Sequence, residues 1–261
     1  MDTFYRRTGT HTFEPTGAAI GPWAPDLLHG GPPIALLAHA MDAHAVQPDM
    51  GLARLSIEFL GAVPLAPCEI EVAVTRPGRR IALLEARMRA GGRDVMLARA
   101  WRMQREAGCA PAAPDDFATP SRPEAGTQVA LFPGVGNFPY AEAMEWRFSR
   151  GGFDTLGPAT VWTRPRIGLV RDEATTGLDR LLLMLDSANG ISAELPLRDW
   201  TFVPVDLQLS LHRPVADDSD WTGMDARSVI DPSGVGTTHA TVFDRDGACG
   251  RSLHTLFVRP R

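Results

Sequence analysis

Within LLLMLDSANG, residues 181–190, the single acid is Asp186. A carboxylate inside an apolar helical stretch is costly to bury unless something uses it, which makes Asp186 a candidate base for activating a water. The competing reading is a helix-ending residue, with Asn189 and Gly190 just behind it, since Asp and Asn often stand near helix ends. A second stretch, HGGPPIALLAHAMDAH at 29–44, sets His29, Gly30 and Gly31 before two prolines and an apolar run. Glycines let backbone N–H groups approach a ligand or a neighbouring strand closely, and prolines suit the first turn of a helix. This stretch is either the wall of a ligand groove or the start of a buried helix.

Other chemistries lack their residues. No GxSxG turn supplies a serine nucleophile, and no GxGxxG or P-loop pattern cradles a phosphate. His39 and His44 are five apart rather than four, so they do not share a helical face as the two ligands of HExxH do. Cys68, Cys109 and Cys249 have no CxxC or CxxH spacing, and an odd count argues against a disulfide framework. We therefore expect no metal, no bound cofactor and a reducing, cytoplasmic setting. The net charge of −5, with basic residues scattered, gives no reason to expect nucleic acid or an anionic membrane as partner. The opening MDTFYRRTGTHTFEPTG lacks the apolar core of a signal peptide, and no run of about 18 apolar residues offers a membrane span.

The elements that must carry these residues come in two similar sets. A composition break, EAGCAPAAPDDFATPSRPEAG at 106–126, is rich in Pro, Ala and Asp and reads as a linker over a surface. It divides the chain into a first unit at 1–105, a linker at 106–138 and a second unit at 139–261. In the first, a helix from about Pro32 to His44 precedes four runs of strand character. In the second, a helix from about Leu178 to Ala188 precedes VDLQLSLHRPV, WTGMDARSVI, GTTHATVFDRDGA and CGRSLHTLFVRP. Opening strands are expected in GTHTFEPTG and AMEWRFSRGGF. Gly78–Arg105 overlays Gly234–Arg261 without a gap, with RAGG and RDGA as matching hairpin turns. Both helices are apolar around most of their circumference, so each should be buried within a curved antiparallel sheet. The fold class expected is α+β, a double hot-dog of two such sheets.

The order HGGPPIALLAHAM, RLSIEFLGAVPL, MEWRFSRGGF, GPATVWTRPR, LDSANGIS, VDLQLSLHRP and GRSLHTLFVRP resembles the double hot-dog acyl-CoA thioesterases, relatives of bacterial acyl-CoA thioesterase II. That resemblance implies hydrolysis of a fatty acyl-CoA, with an aspartate on the second helix, a threonine on the next strand and a glutamine on the last strand holding the water. Asp186 falls on the first position. Pro204 stands where the threonine is expected and can neither donate nor accept through its ring. On the last strand the match gives His254 or, shifted by one, Thr255. His254 is preferred because it could hold a water and accept its proton near neutral pH; His239 is a weaker candidate. His29, Gly30, Gly31, Asn189 and Gly190 are expected to touch the acyl-CoA, and Arg79 and Arg80 either meet its phosphates or form a solvated turn. Two other readings follow from the pattern. One is a non-catalytic acyl-CoA or acyl-carrier binding module, suggested by Pro204. The other is an enoyl-CoA hydratase, disfavoured because DSANGIS carries no histidine behind its aspartate. A homo-oligomer is expected.

Overall fold

The computed structural model describes residues 3–47, 49–122 and 136–261; the expected linker's residues 123–135 lie outside the described residues. The first half runs β1 (Thr3–Arg7), β2 (Thr12–Pro15), α1 (Gly31–Ala43), β3 (Met50–Phe59), β4 (Cys68–Arg76), β5 (Ile81–Ala90) and β6 (Arg93–Gln104). The second opens with α2 (Pro139–Ala143), β7 (Met144–Gly152), β8 (Thr155–Pro165), β9 (Gly168–Val170), α3 (Gly177–Leu185) and α4 (Ala188–Ile191). It continues through β10 (Trp200–Pro204), β11 (Asp206–Leu211), β12 (Thr222–Asp231), β13 (Val235–Asp244) and β14 (Gly247–Pro260). No helix among the described residues is long and apolar enough to cross a membrane.

Alternation gives each strand a buried face. In β5, Ala82, Leu84, Ala86, Met88 and Ala90 are buried, while the residues between them are more exposed. The curved sheet turns this face toward α1, whose Ile34, Leu36 and Leu37 are fully buried, each side chain contributing about 1.5–3 kcal/mol by leaving water. Prolines fill the first turn of α1, where their missing donors do no harm. The carbonyls at its far end are taken by Arg102, which donates to the backbone oxygens of Met41, Asp42, His44 and Ala45. In α3, Thr176 and Asp179 cap each other's backbone N–H groups in a reciprocal box.

The sheets of the two halves join edge to edge into one continuous sheet of 14 strands among the described residues. β3 pairs antiparallel with β11, placing Ile57 opposite Leu207 and Leu55 opposite Leu209, so the buried faces of the two halves run on without a break. Joining the halves here removes two edges whose backbone groups would otherwise face water or another chain. β9, from the second half, adds in parallel to β1 of the first, and β10 pairs with the far part of β14. The helix expected over Leu178–Ala188 also breaks: α3 ends at Asp186 and α4 restarts at Ala188. From the linker, Phe117 stacks on Phe243 and the Trp162 indole donates to Pro120 O, so residues 117–120 lie against the second half.

α1 and α3 pack antiparallel. Gly31 at the start of α1 lies against Leu183 near the end of α3, while His39 meets Asp179 near its beginning. His39 Nδ1 is 3.1 Å from Asp179 Oδ2 and Nε2 is 3.0 Å from Glu173 Oε2, so both nitrogens face carboxylates and both act as donors in the imidazolium. The hydrogen bond to Asp179 is the chief cause that lifts the His39 pKa from 6.5 to about 9, against the effect of burial. Its stabilisation is therefore complete below about pH 6.5 and lost as pH rises through about 9, amounting to about 3 kcal/mol. Denaturant titrations of wild type and His39→Gln from pH 6 to 10 check this. Wild type should lose about 3 kcal/mol more than the variant across that window; parallel curves would refute the assignment.

Candidate active site

A cavity of about 460 Å³ lies at the seam of the two halves, within the size range of small-molecule sites. Apolar side chains dominate its wall, among them Leu28, Phe59 and Val63 from the first half and Phe138, Phe202 and Val205 from the rest of the chain. Two ionisable side chains line it among the described residues, and they meet: His29 from the start of α1 and Asp186 from the end of α3. Ser187 and Asn189 complete the polar part.

Asp186 ends α3, so its side chain projects where the backbone leaves one helix for the next. Its Oδ1 is buried with no hydrogen-bond partner among the described residues, and its Oδ2 is 3.4 Å from His29 Nδ1. Burial pushes its pKa from 3.8 up to about 7, with the Gly30 backbone N–H pulling the other way. The negative end of α3 acts in the same direction as burial. A carboxylate in this state is half ionised near neutrality, where a general base works best.

The glycine pair explains how the two helices come this close. Gly30 has ordinary helical angles, φ −68° and ψ −22°, so its value is space rather than conformational freedom. A Cβ there would stand 2.6 Å from Asp186 Oδ2, and one at Gly31 would stand 2.1 Å from Leu183 O. The Gly31 N–H donates to His29 Nδ1 at 3.1 Å. The His29 ring stacks on Tyr140, with centroids 3.7 Å apart and planes 6° from parallel. Tyr140 in turn donates its hydroxyl to Leu183 O at 2.6 Å and meets Ser187 Oγ at 3.1 Å. Burial lowers the His29 pKa to about 3. Asn189 Nδ2 donates to Phe202 O, tying α4 to β10, and Gly190 lines the cavity beside it.

The structure thus brings His29, Gly30, Asp186, Asn189 and Gly190 to one cavity, with Gly31 just behind His29. Pro204 also lines it, presenting an apolar ring where the resemblance led one to look for a threonine. The last-strand candidates lie elsewhere. His254 faces inward from β14 opposite Thr238, fully buried, and is not among the residues of the cavity wall. Burial lowers its pKa to about 4, which makes it a weak proton acceptor near neutral pH, where it was preferred as a base. Both of its ring nitrogens lack partners among the described residues. Thr255, half-buried next to it, gives its backbone N–H to Asp206 Oδ1 and also does not line the cavity. His239 is exposed, Leu253 opposite it is exposed too, and neither reaches the site. Arg79 and Arg80 are an exposed turn between β4 and β5.

Sequence reasoning missed the neighbours that fix the pair. Tyr140 is one of only two tyrosines, and nothing in its surroundings marks it as the support for His29. Trp23, 40 % exposed, lines the cavity as well. Among the described residues no three of His, Cys, Asp and Glu converge as a metal ion would require.

Two family models match the chain: the acyl-CoA thioesterase N-terminal domain over residues 19–103 and the acyl-CoA thioesterase C-terminal domain over residues 112–258. Among solved structures, a hot-dog protein from Alicyclobacillus acidocaldarius is 17 % identical with a TM-score of 0.71, the match covering 97 % of this chain and 95 % of that one. The acyl-CoA thioesterase II from Mycobacterium marinum is 18 % identical with a TM-score of 0.69, covering 98 % and 95 %. The CurJ dehydratase is more distant, at 13 % identity and a TM-score of 0.56, covering 95 % and 91 %. No curated protein sequence matches.

Proposed function

The chain belongs to the acyl-CoA thioesterase family, and from that membership we propose that it hydrolyses a fatty acyl-CoA to the free acid and coenzyme A, with Asp186 as general base. The observation that carries this reading is Asp186 itself, a carboxylate only 10 % exposed on the wall of an apolar cavity and with no cation paired to it there among the described residues. Such a group can take a proton from a water in the cavity, and the apolar wall suits an acyl chain. The water oxygen adds to the thioester carbonyl carbon while Asp186 takes one of its protons and the C=O π pair moves onto oxygen. Collapse restores the carbonyl and breaks the C–S bond, and the departing sulfur takes the proton back from Asp186. The acid product gives its own proton to solvent. No covalent enzyme intermediate is needed.

A second reading draws on the approach of His29 to Asp186. The histidine missing behind the aspartate in sequence is supplied in space by the other half of the chain, and an acid–base pair of this kind could add water to an enoyl-CoA. Against it, the Gly31 N–H occupies the Nδ1 lone pair of His29, leaving Asp186 as the one base at the site. Free-thiol release measured over acyl-CoAs of graded chain length, alongside loss of the enoyl absorbance, decides among the readings. Thiol release is the expected result. Enoyl-CoA hydration without thiol release would favour the second reading, and binding without either reaction would favour a non-catalytic module.

A further inference from the structure

The reaction above leaves Nε2 of His29, a residue of the cavity wall, unused. Gly31 N–H donates to Nδ1, so in the neutral ring the proton sits on Nε2. Nε2 is not among the buried atoms that lack a partner, no group of the described residues bonds to it, and the ring lines the cavity. That N–H is therefore open to whatever fills the cavity. The ring is also held still, by its stack on Tyr140 at 3.7 Å and by its main-chain N–H on Ala19 O at 2.9 Å. Burial keeps it uncharged down to about pH 3, so the donor persists unchanged through any ordinary working pH.

We propose that His29 is a catalytic residue of the hydrolysis, its Nε2–H donating to the thioester carbonyl oxygen and holding the negative charge that develops there as water adds. The inference rests on the acyl-CoA hydrolysis reading above. His29 loses no atom; it donates a hydrogen bond while the proton of the water goes to Asp186. The Gly31 N–H that donates to Nδ1 polarises the ring and makes Nε2–H a stronger donor.

The test measures thiol release by the full chain as wild type, His29→Phe, His29→Gln and Asp186→Asn, together with imidazole ¹⁵N NMR of wild type. Phe keeps an aromatic face on Tyr140 and removes the donor, so kcat should fall by about 10²–10³-fold while KM stays within about threefold. Gln restores an N–H and should regain at least about tenfold of the loss. NMR should show the Nε2–H tautomer for His29 between pH 5 and pH 8. If His29→Phe retains wild-type kcat while Asp186→Asn loses it, the role of His29 is overturned and the hydrolysis reading stands. If wild type releases no thiol from any acyl-CoA, the hydrolysis reading fails and this inference with it. Should His29→Phe fail to fold, the tautomer decides: an Nδ1–H or charged ring overturns the proposal, and Nε2–H upholds it.

Discussion

Asp186→Asn should lower kcat/KM for acyl-CoA hydrolysis by about 10²–10⁴-fold, and should make the protein more stable at pH 8. Both effects have one cause. A carboxylate whose pKa is lifted by burial from 3.8 to about 7 binds a proton more tightly in the folded than in the unfolded chain. Between those values the native state holds more protons, so stability falls as pH rises from about 4 to about 7 and stays low above it. The loss is on the order of 4 kcal/mol at pH 8. Asn has the same shape without the charge and removes that loss, so denaturant midpoints of variant and wild type should converge at pH 4 and separate at pH 8. A variant that is slower but no more stable at pH 8 would mean that the carboxylate is not desolvated as described. Strain of this kind at a working group is the common trade of stability for function.

Gly31→Ala should be among the most destabilising single-methyl additions in the chain. The new Cβ would stand 2.1 Å from Leu183 O, a backbone atom of α3 that cannot swing aside as a side chain could. Overpacking costs about 1–3 kcal/mol in general, and a backbone obstacle puts this site at the upper end, lowering Tm by about 6–12 °C. Separating α1 from α3 also moves His29 from Asp186, so kcat should fall by about 10²-fold if the displacement reaches about 1 Å. Gly30→Ala provides the contrast. Its Cβ meets the carboxylate of Asp186 rather than backbone, so it should cost activity with a smaller change in Tm. Thermal melts and steady-state rates of both variants check the pair; a Gly31→Ala protein that melts with wild type would show that the helices are not in such close contact.

Strands with a clear apolar alternation were legible from sequence, as β5 and β6 show, and so were the two hairpins, whose RAGG turn places Gly91 and Gly92 at φ 57° and 79°. Three short strands were not. β1, β9 and β10 have five, three and five residues, too few for a period to emerge, and their pairing depends on partners distant in the chain. Asp186 stood out because an acid in an apolar run has a physical cost that composition alone reveals. His29 was legible as a groove residue but not as the neighbour of Asp186, since 157 positions separate them and only the antiparallel packing of α1 on α3 brings them together. His254 was favoured through the position that a resemblance assigned to it. Strand alternation did give it an inward direction, but could not say that the inward side at that point lies away from the cavity.

The central claim is that a buried Asp186, ionising near neutrality, is the base that activates water. The pH dependence of wild-type kcat/KM with an acyl-CoA substrate tests it most directly. The profile should rise through an apparent pKa of about 7 to a plateau on the alkaline side, with no second limb from His29, and Asp186→Asn should abolish the rise. A profile that is already flat at pH 5, or one that keeps its limb near pH 7 in Asp186→Asn, would contradict the claim.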